Sequence, residues 1–265
     1  KLTVPITLVP ADKVPADFVV IPAGRFMVGA LDEAQRTSFL FTVPLHTLRT
    51  DDFLIAKHET TFGEWIEFLR SRSMVDRKRL RPHTDGVNTE SGWLDLSPTA
   101  TGWLLRTKPV RHEYIATAGQ PLQYLARKFN QVHDWSLLPV TGVSMDDVVE
   151  YAAWLREYGK VPNARPCTEV EWERASRGAD DRLFPHGNLL RPGDANFDET
   201  YNKEPNAFGP DAVGLWPNSK SPFGVDDLAG NISEWTTLSL SAEPKLVVMR
   251  GGSFFYGALT SVNPN

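Results

Sequence analysis

Apolar and polar positions change period several times along this chain, and each change marks an element. Residues 1–16 are polar in character and carry three prolines, which reads as an arm or linker. "FVVIPAGRFMVGA" (18–30) holds two short β-rich runs split by "PAG", a turn signal, and so predicts a hairpin. "FLIAKHETTFGEWIEFLRS" (53–71) is a strand that runs into a helix. Thr61 is its N-cap, Glu64 completes a capping box, and Trp65, Phe68 and Leu69 share one face.

Residues 70–135 have weaker periodicity. The basic run "RSRSMVDRKRLRPHT" reads as a solvated helix end and loop rather than a contact patch. "GWLDL", "GWLLR" and "QPLQYLARKF" read as short strands around turns, so this stretch is expected to be an insertion packed on the main body. Order returns with "LPVTGVSMDDVVEYAAWLREYG" (138–159). Ser144 caps a helix there, and Asp146 and Asp147 lie in its first turn. Val148, Tyr151, Ala152 and Leu155 form its buried stripe, and Gly159 is the C′ stop. In "RPCTEVEWERASRG" (165–178) Thr168 and Glu171 form a second box, with Trp172 and Ala175 pointing inward. From "DDRLFPHGN" onward the chain is rich in Gly, Pro, Asn and Asp, with short strands such as "KLVVMR". So much irregular backbone needs partners for its polar groups, and a bound cation is one answer.

Composition narrows the class. The chain has 265 residues, of which 41% are hydrophobic and 23% charged, ordinary values for a globular protein. Eight Trp, 20 Pro and 19 Gly favour a loop-rich fold with aromatic anchors over a helical bundle. A net charge of −5 gives no electrostatic reason to bind nucleic acid, and no apolar run is long enough to insert in a membrane. Cys167 is the sole cysteine, which excludes an intrachain disulfide and a thiolate metal cluster. A reducing cytoplasm is the default expectation. The chain begins with Lys1 rather than Met, so a processed form or an excised part of a longer chain is expected.

"FVVIPAGRFMVG", "HETTFGEWIEFL", "LPVTGVSMDDVVEYAAWL", "TEVEWERASRG", "FGVDDLAGNISEWT" and "VVMRGGSF" occur in that order over most of residues 18–255. Together they resemble the formylglycine-generating enzyme family, the sulfatase-modifying-factor domain. The resemblance implies one α+β domain over residues 17–265, a variant of the C-type lectin fold low in regular secondary structure. It also implies a closing segment beyond Asn265. Family functions differ: copper-dependent oxidation of a sulfatase cysteine, the substrate-binding half of iron-dependent sulfoxide synthases, retroelement-diversified variable binding proteins, and accessory domains of bacterial multidomain proteins, including Ser/Thr kinases. Membership alone does not select among them.

The resemblance places the two copper cysteines shortly after "RGGS", at Tyr256 and Ser261, and neither is a thiol. Phenol and hydroxyl are poor ligands for soft Cu(I), so copper is not expected. Cys167 opens the "TEVEWE" helix, where the family commonly has proline, and is read as a small structural residue. No two of the six His stand at helical i, i+3 or i+4 spacing, so an iron site is not expected and His58 and His186 are read as hydrogen-bonded structural residues. Calcium is the expected cofactor, in a structural role. The resemblance maps one site onto Asp227, Gly230, Ile232 and Glu234, whose carboxylates and turn carbonyls suit a hard cation, and a second onto Asn196 and Phe197 with Asp211. In both places Asx turns are the competing role for the acids.

No nucleophile elbow or phosphate loop occurs, and no "HRD" or "DFG" kinase motif. The chain is therefore expected to be a non-catalytic domain that binds a peptide, protein or small molecule, with Arg250, Tyr256 and Ser261 as ligand-binding candidates. Phe254 is assigned to the core. The alternatives are a thiol- or peptide-directed oxidoreductase of the formylglycine-generating or sulfoxide-synthase type, a variable binding protein, and a module fused to a larger enzyme such as a Ser/Thr kinase.

Overall fold

Helices in this computed structural model start where side chains can satisfy the free N–H groups of a first turn. It describes residues 9–31, 43–84, 92–158, 161–238 and 247–255. Helix α1 (Phe62–Arg70) begins at a complete Thr61–Glu64 capping box and buries Trp65, Phe68 and Leu69. Its last carbonyls are taken by an arginine of the basic run: Arg77 Nε donates to Leu69 O at 2.8 Å and Nη2 to Arg70 O at 2.7 Å. Arg77 itself lies on α2 (Met74–Leu80). Helix α3 (Met145–Glu157) starts at a Ser144–Asp147 box, and α4 (Glu169–Arg177) at a Thr168–Glu171 box. On α3, Tyr151 and Ala152 are buried as expected, Val148 and Leu155 are half-buried, and Trp154 is a further buried anchor. Gly159 lies outside the described residues.

The strands require one correction. β1 (Phe18–Ile21) and β2 (Gly24–Val28) do not pair with each other. β1 pairs antiparallel with β4 (Phe53–Ala56), and β2 with β3 (His46–Thr50). The register is continuous from Phe18↔Ala56 to Val28↔His46, broken only at Pro22 and Ala23. "PAG" is thus an interruption in one long ribbon, because Pro22 has no N–H to give the ladder. The remaining strands are also antiparallel. β5 (Trp93–Thr99), β6 (Gly102–Lys108) and β7 (Tyr114–Thr117) form one sheet, β8 (Leu122–Gln123) pairs with β9 (Val132–His133), and β10 (Glu234–Thr237) with β11 (Val247–Arg250).

The largest core joins α1 and α3 to the β5–β6–β7 sheet through Phe62, Trp65, Phe68, Leu96, Leu105 and Trp154. The segment expected as an insertion therefore supplies an integral part of the main core. A second core forms around Trp172 of α4, with Ile21, Ala175, Val225 and Leu228, and Cys167 packs against it. The result is an α+β, loop-rich architecture, and this second core underlies the candidate site. Among the described residues no helix is long and apolar enough to cross a membrane.

Candidate functional site

Three loops interlock above the second core. Asp227, Gly230 and Asn231 all adopt left-handed backbone, with φ of 57°, 79° and 59°. At Gly230 only glycine fits, since a Cβ there would stand 2.3 Å from Asn196 O. This close approach lets Asn231 N donate to Asn196 O at 2.7 Å and Gly230 N to Gly251 O at 2.8 Å. Phe254 N then donates to Asn231 O at 3.0 Å. The "DDLAGN" turn, the "DANF" turn and the "RGGS" turn are thereby held as one unit.

Asn231 is the hub, 1% exposed. Its Oδ1 accepts from Asp211 N at 2.8 Å and Asn196 Nδ2 at 3.2 Å. Its Nδ2 donates to both oxygens of Glu59 at 3.2 Å. Glu59, just ahead of α1, was not among the sequence candidates. Burial lifts its carboxyl well above the usual range, and the charges of Asp227 and Glu234 add to the rise. Burial likewise pushes Asp227 up to about 6 and Glu234 up to about 8. Three carboxyl groups thus share one field, a placement that favours either protonation or a neighbouring cation.

The first expected cation set is brought together in part. Glu234 Oε1 is buried, and the donor beside it is the Trp172 indole N–H, a contact that offsets only part of the rise caused by burial. A Cβ built on Gly251 would lie 3.7 Å from both Glu234 Oε1 and Ile232 O, so both oxygens border the space beside Gly251. Asp227 accepts from Gly214 N at 2.5 Å through Oδ2. Among the described residues no three His, Cys, Asp or Glu side chains converge as a metal cluster, so carbonyl oxygens have to complete any cation shell here. A buried carboxylate with a single indole N–H beside it, near the Ile232 carbonyl, suits a hard cation of this kind.

The second set is arranged differently. Phe197 O accepts from Thr200 N at 3.1 Å, and Asn196 O is taken by Asn231. Both oxygens of Asp211 are occupied. Arg127 Nη1 and Tyr201 OH donate to Oδ1, and Trp216 Nε1 donates to Oδ2 at 2.9 Å. Only Asn196 Oδ1 is left buried without a partner.

Arg250, offered as a ligand contact, is held between neighbours. Its Nη2 donates to Glu173 Oε2 at 3.0 Å, Nη1 lies 3.5 Å from Glu169 Oε1, and its guanidinium stands 5.1 Å from the Trp172 ring centroid. It ties β11 to α4. Tyr256 and Ser261 lie outside the described residues. Phe254 is half-buried, while Phe255 is 55% exposed and edge-on to Phe208. Cys167 is largely covered, and burial pushes its thiol up to about 12, so it is not a thiolate at neutral pH. His58 and His186 each hydrogen-bond a backbone carbonyl, of Glu59 at 2.9 Å and of Leu189 at 2.8 Å.

Glu59 and Asn231 lie within motifs quoted from the sequence, "HET" and "AGN", but their pairing spans 172 positions and no local pattern carries it. Nothing in "LARKF" distinguishes Arg127 from a surface arginine.

Known proteins share this plan. The chain is 34% identical over 259 residues to inactive C-alpha-formylglycine-generating enzyme 2 of Bos taurus, covering 93% of this chain and 79% of that protein. It is 27% identical over 236 residues to the formylglycine-generating enzyme of Mycobacterium tuberculosis, covering 83% of this chain and 73% of that one. The structure of PvdO from Pseudomonas aeruginosa has the same fold, with a TM-score of 0.54 at 22% identity over 89% of this chain and 82% of PvdO. The sulfatase-modifying factor enzyme 1-like domain matches residues 6–264, so the chain belongs to that family, in a branch without the copper cysteines.

Proposed function

We propose that this chain is a non-catalytic binding domain that holds a structural calcium ion and presents the surface after "RGGS" to a peptide or protein ligand. The observation that carries the reading is the identity of two residues. Tyr256 and Ser261 stand where the family's copper thiolates are expected, and the sole cysteine, Cys167, is protonated and packed against the second core. A soft Cu(I) ion has no thiolate pair to bind. The similarity to a bovine relative described as inactive supports the same reading.

Asp227 and Glu234, with the carbonyls of Gly230 and Ile232, would hold the calcium ion. Its charge would offset the mutual repulsion of Glu59, Asp227 and Glu234 and so fix the interlocked loops. The exposed Phe255 ring begins the contact surface, and Tyr256 continues it in sequence.

The decisive experiment incubates the purified protein with Cu(I), oxygen and a cysteine-containing sulfatase peptide. We expect no stoichiometric copper and no change in peptide mass. A tight copper equivalent with conversion of the cysteine to an aldehyde would overturn the reading. The calcium assignment has its own readout. Chelation should lower the melting temperature of the wild type and leave that of Glu234→Gln unmoved.

A further inference from the structure

The loop 206–211 gathers oxygen atoms in the manner of a cation site, yet its centre is a guanidinium. Arg127 Nε donates to Ala207 O at 2.7 Å and Nη2 to Gly209 O at 2.7 Å. Nη1 faces Asn130 O at 3.3 Å and forms the ion pair with Asp211. Both members of that pair have fully buried side chains. The guanidinium carbon lies 3.7 Å from the Tyr124 ring centroid and 3.9 Å from that of Tyr201, so aromatic faces cover the plane of the cation.

The surroundings are shaped to this arrangement. A Cβ on Gly209 would approach Tyr124 to 2.5 Å, so only glycine lets the loop lie on that ring. Tyr124 OH in turn donates to Pro210 O at 2.9 Å, and Tyr114 OH to Asn206 O at 2.6 Å. Tyr201 OH and Trp216 Nε1 complete the Asp211 carboxylate. His133 Nε2 is 3.2 Å from Arg127 Nη1, and burial lowers its pKa, which keeps it from adding a second positive charge. A fixed fork of donors, always charged, thus meets three carbonyls and one carboxylate.

We infer that Arg127 is the resident cation of this loop, and that the Asn196–Phe197–Asp211 set does not take a metal ion. Residues 122–133 and 195–216 are therefore locked together by a cation that no chelator can remove. The inference does not require calcium at Asp227 and Glu234, because the two clusters use different oxygens.

Calcium is counted per chain by equilibrium dialysis for the wild type, Asp211→Asn and Glu234→Gln. We expect one ion in the wild type, the same count in Asp211→Asn and none in Glu234→Gln. A count that falls by one in Asp211→Asn would overturn the inference. A count of zero in the wild type would remove the calcium reading and leave Arg127 as the loop's cation. Arg127→Met should lower the melting temperature by about 10 °C, equally in excess calcium and in chelator, since it strands a buried carboxylate. Recovery of that loss by calcium would also count against us. A measurement free of variants uses wild-type crystals soaked in a lanthanide. An anomalous peak within bonding distance of Asp211 would overturn the assignment, and its absence there is expected.

Discussion

Glu234 carries the sharpest chemical consequence of any single residue here. In the unfolded chain its carboxyl ionises near 4.5, whereas in the folded protein it keeps its proton until about 8. Between those values the folded state binds more protons than the unfolded state, so stability of the metal-free protein falls as pH rises. Asp227 adds a smaller contribution between 3.8 and about 6. Metal-free protein should lose a few kcal/mol of stability between about pH 5 and pH 8, measured by urea unfolding. Glu234→Gln should reduce this slope, with Glu59 and Asp227 supplying what remains, and calcium should stabilise more at pH 8 than at pH 5. A flat metal-free profile would show that these carboxyls are not held as described. At this scale the sequence carried chemistry but not partnership. Asp227 and Glu234 lie within eight positions of each other and were legible together. Glu59 reaches them only through folding, and Arg127 likewise reaches Asp211, 84 positions away, only through folding.

At the scale of elements, legibility tracked how local the deciding contact is. The boxes Thr61–Glu64, Ser144–Asp147 and Thr168–Glu171 each span three residues, and all three are present. The pairing of β1 with β4 spans up to 38 positions, at Phe18↔Ala56, and depends on Pro22 interrupting a ribbon rather than turning it. Residue type alone suggests the opposite. α4 shows what a cap supports. Thr168 Oγ1 accepts from Glu171 N at 3.2 Å, and Glu171 Oε2 accepts from Thr168 N at 2.9 Å. Thr168→Ala should cost about 1 kcal/mol in urea unfolding, while Thr168→Ser should cost far less. Equal losses would show that the methyl group, not the hydroxyl, is what matters. The basic run behaves in the same local way. Arg77 closes α1, and Arg79 pairs with Glu150 at 2.7 Å, so these charges serve the fold.

The whole molecule joins two cores of different character. The first, around Trp65 and Trp154, is broad and apolar, and the β5–β6–β7 sheet completes it. The second is smaller and carries on its surface three carboxyl groups and three interlocked turns. Its order depends on charge balance as well as apolar burial. The cation that would balance Glu59, Asp227 and Glu234 acts on this half, and the Arg127–Asp211 pair is held by other partners. Chelation should therefore have a local effect. Hydrogen exchange at Gly230, Asn231 and Phe254, whose N–H groups join the turns, should accelerate about 100-fold in chelator, the equivalent of roughly 3 kcal/mol of lost local protection. Exchange at Leu96 and Leu105 in β5 and β6 should stay unchanged, because their protection comes from the apolar core. Uniform acceleration across both sets would mean that the two cores open together and that the cation acts on global stability. No acceleration in either set would mean that protonation alone balances the carboxyl groups.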